Sequence, residues 1–466
     1  MQQRLFGTSG IRGSIADKVS VDLALNLGRG LGTFLNGHGK VAVGTDARTS
    51  RQVLRNAFVA GLVSTGMNVI DLSVAPMPAV AAQSVSANVS VSVIITASHN
   101  PATDNGFKFF TGGREFIKSE EEALERHIFS RDFSVAGWRN IGSVIKTDIK
   151  QAYLKRIKTF LISRGGEAGR TRVLVDLANG AATRYTPELL VELGFHVTTM
   201  NSHPDGYFPG RLPEPSPGNL VDTMKLGAGS DFAVTLCHDG DGDRLAVIDE
   251  RGRFIDQNRV IALFAKDEVE RKNGGMVVTS IDTSSVIDEV VGKAGGEVTR
   301  VPLGSLQEQL ATDKQRLIVF ASEPWKAIFT DLGDWMDGIV AAGRFAQMVR
   351  EVGQNSCIRL MDSIPEYPVL RDQVACPDAI KQKFMTTVRD MLLSDVSGIQ
   401  RVLDIDGIRI ECSDGSYLLV RPSGTEPKAR IYIGARTQAS LDKLAGIARN
   451  AIKRALDENT TPLASG

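Results

Sequence analysis

Short apolar runs bounded by turn residues recur along this chain and alternate with stretches of helical period, the pattern of strands joined by helices. Positions 40–46 read as a strand, 50–65 as a helix, 67–72 as a strand, 76–87 as a helix and 91–95 as a strand. This βαβαβ order predicts a mixed, mostly parallel sheet covered by helices on both faces. The alternation returns twice, with strands expected at 172–177, 195–200 and 232–236, and then at 276–280, 297–301 and 317–320. Near the C-terminus, runs at 407–412 and 416–420 meet through Ser413-Asp414-Gly415, the sign of an antiparallel hairpin, and a helix follows near 439–456. The expected fold class is α/β: three successive βαβαβ domains with mixed, mostly parallel sheets (1–150, 151–255 and 256–367), then a C-terminal α+β domain (368–466). The small residues from Asn459 onward read as a frayed tail.

In each of the three repeated units the loop after the third strand carries the unusual residues, a divergent internal repeat of pattern and not of identity. The first is Thr96-Ala97-Ser98-His99-Asn100-Pro101, which presents the Ser98 hydroxyl at a sheet's C-terminal edge, where open α/β sheets bind ligands. The same residues also suit an ordinary turn. The second is Asp239-Gly240-Asp241-Gly242-Asp243-Arg244, whose alternating carboxylates and glycines can curl round one hard divalent cation. Glu250 stands where an EF-hand loop would close, but 245–248 reads as a strand and rejects that reading. A solvated acidic turn is the other alternative, opposed by mutual repulsion of the acids. The third is Glu323-Pro324-Trp325-Lys326. Three such loops meeting at one cleft would make a site between domains.

Composition narrows the class without identifying it. The chain has 466 residues, 42% hydrophobic and 23% charged, with Lys plus Arg and Asp plus Glu both at 54. Zero net charge gives no general attraction for nucleic acid or an anionic membrane, so any phosphate binding is local. Cys237, Cys357, Cys376 and Cys412 form no Cys-x-x-Cys pair, which argues against zinc and a disulfide framework. The first residues lack a signal peptide's apolar region and no run approaches a membrane span, so a cytoplasmic protein is expected.

Further stretches suit anion binding. Phe6-Gly7-Thr8-Ser9-Gly10-Ile11-Arg12-Gly13 is a donor-rich loop, and Arg421-Pro422-Ser423-Gly424-Thr425 combines an arginine, two hydroxyls and the N–H groups of a turn. Thr45-Asp46-Ala47-Arg48-Thr49-Ser50 reads as a helix cap in which Arg48 is the one functional candidate. Asn105-Gly106-Phe107-Lys108 places an amine downstream of the serine. The Pro- and Gly-rich segment 204–215 is an ordered excursion or a linker.

The serine loop, the acidic loop and Arg421-Pro422-Ser423-Gly424-Thr425-Glu426-Pro427, in this order, resemble the α-D-phosphohexomutase superfamily, in particular its archaeal phosphoglucomutase/phosphomannomutase branch, over nearly the whole chain. The resemblance implies an isomerase that moves phosphate between C1 and the terminal carbon of a sugar through a phosphoserine and a bisphosphorylated intermediate. It implies Ser98, Lys108, Arg12 and His99 as catalytic residues, with Lys108 as general acid/base and Arg12 near the phosphoserine. Mg²⁺ would be held by Ser98, Asp239, Asp241 and Asp243, and a sugar bisphosphate would serve as activator. Substrate contacts are expected from Glu323, Trp325, Lys326, Arg244, Arg421, Ser423, Gly424, Thr425 and Arg430. Partners are then a phosphosugar, with no nucleic acid or membrane, and a monomer or homo-oligomer. Hexose-specific members usually carry Glu-x-Ser-Gly-His in the third loop, whereas this chain has Pro324-Trp325-Lys326-Ala327 after Glu323. That departure points to a pentose phosphate or an amino-sugar phosphate as the preferred substrate. A magnesium-dependent phosphatase and a silent sugar-phosphate binding protein are the alternatives from other classes.

Overall fold

The computed structural model describes residues 4–165, 171–313, 315–353, 356–423 and 426–460, the side chains of 459 and 460 excepted. Gly424 and Thr425 of the arginine loop, and nearly all of the tail expected to fray, lie outside these residues. In the first sheet β1 (Ile11–Ser14), β2 (Lys40–Thr45), β3 (Asn68–Val74), β4 (Val91–Ile95), β5 (Asp104–Thr111), β6 (Arg114–Glu115) and β7 (Val144–Lys146) take the order β1-β5-β4-β2-β3-β7, with β6 on β5. The second holds β8 (Arg172–Asp176), β9 (His196–Met200), β10 (Val234–His238) and β11 (Leu245–Asp249) in the order β11-β10-β8-β9. The third holds β12 (Gly275–Ser280), β13 (Gly296–Val301), β14 (Ile318–Glu323) and β15 (Lys326–Ile328) in the order β15-β14-β12-β13.

Strand order is therefore the same in all three sheets: β5-β4-β2-β3 in the first repeats in the other two. β2, β3 and β4, like β8, β9 and β10 and like β12, β13 and β14, are parallel, and the next strand in each unit returns antiparallel beside the last of them. Reversal at the C-terminal edge of β4, β10 and β14 is what puts the three unusual loops at corresponding places. The repeat read from sequence is thus a repeat of topology. The fourth sheet, β16 (Val369–Ala375), β17 (Ile399–Leu403), β18 (Ile408–Cys412), β19 (Tyr417–Pro422) and β20 (Lys428–Gly434), is antiparallel in the order β16-β20-β19-β18-β17 and carries the helices Lys381–Asp395 and Gln438–Thr460.

The helix expected over 76–87 is shorter: Met77–Ala81, then a 3₁₀ turn Ala82–Val85. Pro76 and Pro78 fit its first turn, where no N–H partner is needed. One apolar cluster runs from Ala42 and Val80 through Val175 and Leu236 to Phe320 and Phe345, so the first three units share a core. The fourth has its own, built on residues such as Phe384, Ile431 and Ala448. It meets the third unit through polar contacts: buried Arg409 donates to the Ile281 and Thr283 carbonyls at 2.8 Å, and Ser285 to the Gly415 carbonyl at 2.6 Å. Among the described residues no helix is long and apolar enough to cross a membrane. All four cysteines are buried and free.

Candidate active site

β4 is buried along its whole length and ends at a buried threonine, so the turn that follows is pinned from below. Thr96 Oγ1 accepts from the Ser98 N–H at 2.8 Å and lies 2.7 Å from Asp46 Oδ2 and 3.1 Å from Asp241 Oδ2. Ser98 has φ +53°, the left-handed region that a residue with a Cβ adopts at a cost and keeps only where its surroundings hold it. Its hydroxyl donates to Asp239 Oδ2 at 2.6 Å. The turn reading and the nucleophile reading thus describe one loop, with the strain at the serine itself.

Asp239, Asp241 and Asp243 alternate along the loop between β10 and β11. A side chain at Gly240 would meet the Ser98 carbonyl oxygen at 2.7 Å, so only glycine allows the acidic loop this close to the serine. All three acids are fully buried, and one oxygen of each lies within 4.8 Å of the others. Asp241 Oδ1 and Asp243 Oδ1 are buried without a hydrogen-bond partner. Such oxygens are costly to leave unmet, and three hard donors beside a hydroxyl suit a hard divalent cation. The residues present therefore fit Mg²⁺. Burial and the neighbouring Asp241 and Asp243 push Asp239 well above the usual carboxylate range. Burial acts the same way on Asp243, but Lys108, Lys326 and Arg244 outweigh it and hold that group well below the range.

Two lysines face this cluster. Lys108, on β5 and almost fully buried, lies 2.8 Å from Asp243 and 3.8 Å from Asp241. Burial opposes its charge, yet Asp243 and Asp241 raise its pKa, so it stands as an ammonium ion. Lys326 reaches in from the third unit, 3.6 Å from Asp243 and 3.9 Å from Glu323. Lys326 is therefore not a solvated charge, and only 4% of it is exposed. His99 is pushed far down by burial and then by Arg244 and Arg12, which keeps it neutral. Arg244 can only donate, so at 3.4 Å it fixes Nε2 of His99 as the acceptor and leaves the proton on Nδ1, which is 3.4 Å from Ser98 Oγ. His99 is thus placed as a donor to the serine oxygen, not as its base.

Above these buried groups is a cavity of about 870 Å³ lined by all four units. The first contributes the N-terminal glycine loop with Arg12, and His99; the second, Arg244 and Glu214; the third, Asp282, Glu323, Trp325 and Lys326; the fourth, Arg371, Lys428, Arg430 and Tyr432. Ser98 and the three aspartates lie behind this surface, fully buried. In the tight β14–β15 turn Pro324 precedes Trp325 at φ +79°, the value of the third residue of a type II turn, where glycine is usual. The Trp325 ring both lines the cavity and packs on Phe254, ring centres 5.7 Å apart, so it faces the cavity and the protein interior at once. Burial, with Asp282 adding to it, raises the Glu323 carboxyl although Lys326 opposes.

Arg421 and Ser423 are not brought to the cavity. Arg421 is turned onto Asp406, 2.8 Å away, and Ser423 bonds back to Lys428 through its N–H. The cations on the fourth unit's wall are instead Arg371, Lys428 and Arg430. Lys428, Arg430 and Tyr432 alternate along β20 and so share one face, a period-two signal present in the sequence. The cap reading of Thr45–Ser50 also fails: no side chain caps the helix Arg51–Ser64, and the Ser50 hydroxyl accepts from Asn105 instead. His238, pushed down to about 4 by burial, donates from Nδ1 to the Arg244 carbonyl at 2.9 Å and steadies the acidic loop, a role with no local signal.

Four family models match in succession: phosphoglucomutase/phosphomannomutase alpha/beta/alpha domain I over 3–135, domain II over 151–252, domain III over 256–367 and the C-terminal domain over 373–451. A phosphopentomutase of Thermococcus kodakarensis is 42% identical, covering 98% of this chain and 99% of that one. A protein named "Probable phosphoglucosamine mutase" from Methanothermobacter thermautotrophicus is 38% identical, over 93% and 94%. Among solved structures, a phosphoglucomutase/phosphomannomutase family protein from Burkholderia thailandensis superposes with a TM-score of 0.85 at 26% identity, over 98% of this chain and 99% of that one. The chain belongs to the phosphoglucomutase/phosphomannomutase family of the α-D-phosphohexomutase superfamily, and its chemistry is that of a phosphomutase.

Proposed function

We propose that this phosphomutase interconverts a sugar 1-phosphate and the matching terminal-carbon phosphate through a phosphoserine at Ser98. The observation that carries the assignment of the nucleophile is the Ser98 hydroxyl held 2.6 Å from Asp239, within a cluster of three buried carboxylates and two lysines. Asp239, Asp241 and Asp243, with the serine oxygen, would hold Mg²⁺, whose charge neutralises the phosphoryl oxygens. In the first transfer the Oγ–P bond of phosphoserine breaks as a bond forms from phosphorus to the free sugar hydroxyl. The Lys108 ammonium gives its proton to the leaving Oγ and takes the hydroxyl proton in its place, and the second transfer reverses both movements when Oγ takes back the other phosphate. The cationic groups Arg12, Arg244, Arg371, Lys428 and Arg430 surround the cavity and suit a ligand with an anion at each end. A sugar bisphosphate is the activator expected of such a cycle. For phosphate on Ser98 to reach the cavity, the side chain must rotate from Asp239 past His99.

The sugar we assign is a pentose phosphate or an amino-sugar phosphate, and not glucose or mannose phosphate. Trp325 and Lys326 in the sugar-facing wall support this reading, as do the names of the two relatives. The test is a panel of pentose, glucosamine, glucose and mannose 1-phosphates, each assayed for the isomeric phosphate with a trace of bisphosphate, on the wild type and on Trp325→Ala. A pentose or glucosamine phosphate should lead by kcat/KM, and Trp325→Ala should change the ranking. Glucose or mannose 1-phosphate in first place, with the ranking indifferent to Trp325, would refute the sugar assignment and leave the mutase chemistry standing.

A further inference from the structure

We propose that the Pro- and Gly-rich segment 204–215 of the second unit is a clamp, and that Phe208 on it and Arg48 in the first unit are positioning residues that hold Ser98 against the acidic loop. Arg48 is completely buried. Its guanidinium donates to the carbonyl oxygens of Ser98 at 2.9 Å, Asn100 at 2.6 Å and Asp104 at 2.8 Å, and also to that of Pro101. Nε is held by Asp46 at 3.0 Å, so the fork cannot swing away. One side chain thereby fixes the backbone of the whole serine loop, including the strained residue itself.

The other half of the clamp comes from a chain segment some 160 residues away, by the numbering of its two partners. Phe208 is buried, at φ +52°, with its ring centre 5.2 Å from the Arg48 guanidinium carbon. The ring also stands next to the acidic loop: a side chain built at Gly240 would meet Phe208 Cε1 at 3.4 Å and the Ser98 carbonyl oxygen at 2.7 Å. Two residues before the ring, Gly206 lies so close to the first unit that a Cβ there would meet the Thr49 nitrogen at 2.3 Å and the Ala47 oxygen at 2.6 Å. The segment is itself anchored beside the acidic loop, Arg211 donating to Asp176 at 2.8 Å and to the His238 carbonyl at 2.6 Å. Ring, guanidinium and the two loops form one stack, and a cation over an aromatic face is favourable, the more so out of water.

Its bearing on catalysis rests on the phosphoserine reading proposed above. Phosphoryl transfer depends on positioning, and a misplacement of about 1 Å can cost about 100-fold in rate. A loosened serine loop also admits water to the phosphoserine, so phosphate should leak as inorganic phosphate. The experiment uses the full chain with Phe208→Ala, Phe208→Leu and Gly206→Ala, and Tyr207→Ala as the exposed neighbour. Two quantities are read: inorganic phosphate released per sugar phosphate isomerised, which does not depend on the fraction of folded enzyme, and hydrogen exchange at the 98–104 amides. Phe208→Ala and Gly206→Ala should lower kcat by about 10- to 100-fold with KM within about threefold, raise the leak ratio several-fold and speed exchange at 98–104. Phe208→Leu, which keeps the bulk and loses the ring face, should fall between, and Tyr207→Ala should match the wild type. Leak ratio and exchange unchanged in Phe208→Ala and Gly206→Ala overturn the clamp. A wild type that isomerises no sugar phosphate refutes the functional reading instead, and the exchange measurement then decides the clamp alone.

Discussion

At the scale of single residues, Ser98, the serine we assign as nucleophile, sits in a conformation its own side chain disfavours. The left-handed region costs an L-residue roughly 1–2 kcal/mol that glycine does not pay. Ser98→Ala and Ser98→Gly should both lose mutase activity by about 10³-fold or more, but the glycine variant should be the more stable of the two by about 1 kcal/mol, read from paired thermal melts. Equal stability would mean that φ +53° at Ser98 stores no strain. Lys326 gives a second prediction. Its ammonium lies 3.6 Å from Asp243, one of the oxygens we assign to the cation, and a like charge at that range weakens cation binding. Lys326→Met should tighten Mg²⁺ about fivefold to tenfold by titration calorimetry, and weaker or unchanged binding would show that the lysine does not compete. What was legible at this scale was local. Ser98 and the three aspartates could be read because each motif is contiguous. The burial of Lys326 and the grip of Arg48 could not, because each depends on a group far away in the chain.

At the scale of elements, the helix Gly338–Glu351 is started by Asp337, which accepts from the N–H groups of Ile339 and Val340 at 3.2 and 3.0 Å. The same carboxylate takes the Tyr153 hydroxyl at 2.8 Å and the Trp335 indole N–H at 3.1 Å, which ties the helix Lys150–Ile162 to the third unit. Asp337→Ala removes a cap and strands two buried donors, and should cost about 2–4 kcal/mol, seen as a lower Tm. Burial raises this carboxyl from the ordinary 3.8 to about 6. Because the folded state then holds a proton the unfolded state has lost, its contribution is fully present below about pH 4 and declines as pH rises to about 6. Relative to Asp337→Asn, which does not titrate, the wild type should therefore lose stability between those two values and not above them. A difference flat across that window would contradict the raised value. Element identity was legible where period and length agreed, as in β4 and β10. It was less so at 76–87, where two prolines fit a helix start but the sequence did not show that the helix would end after five residues.

At the scale of the whole molecule, one apolar cluster runs through the first three units, the first adds a second cluster of its own around Phe58 and Phe109, and the fourth has a separate core joined to the third through hydrogen bonds such as those of Arg409. A unit attached through a mostly polar boundary is the part expected to move. Arg421, now paired with Asp406, and the cationic face of β20 would then close on the phosphosugar. Small-angle scattering should show the radius of gyration falling when phosphosugar saturates the protein, and an unchanged radius would mean that the cavity binds without closure. The order of the units and the topological repeat were readable from the spacing of the strands. The turning of Arg421 away from the cavity was not, since its partner Asp406 lies in the turn between β17 and β18 of the same unit, and nothing local to either residue signals the pairing.

The central claim is that phosphate passes through Ser98 to a sugar and not to water. Its most direct measurement loads the protein with phosphate from a radiolabelled sugar bisphosphate, maps the label, and adds unlabelled sugar monophosphate in a single turnover with Mg²⁺. The account predicts label on Ser98 alone, absent from Ser98→Ala, and its transfer to the sugar within one turnover. Label on another residue, or label released chiefly as inorganic phosphate, would contradict it.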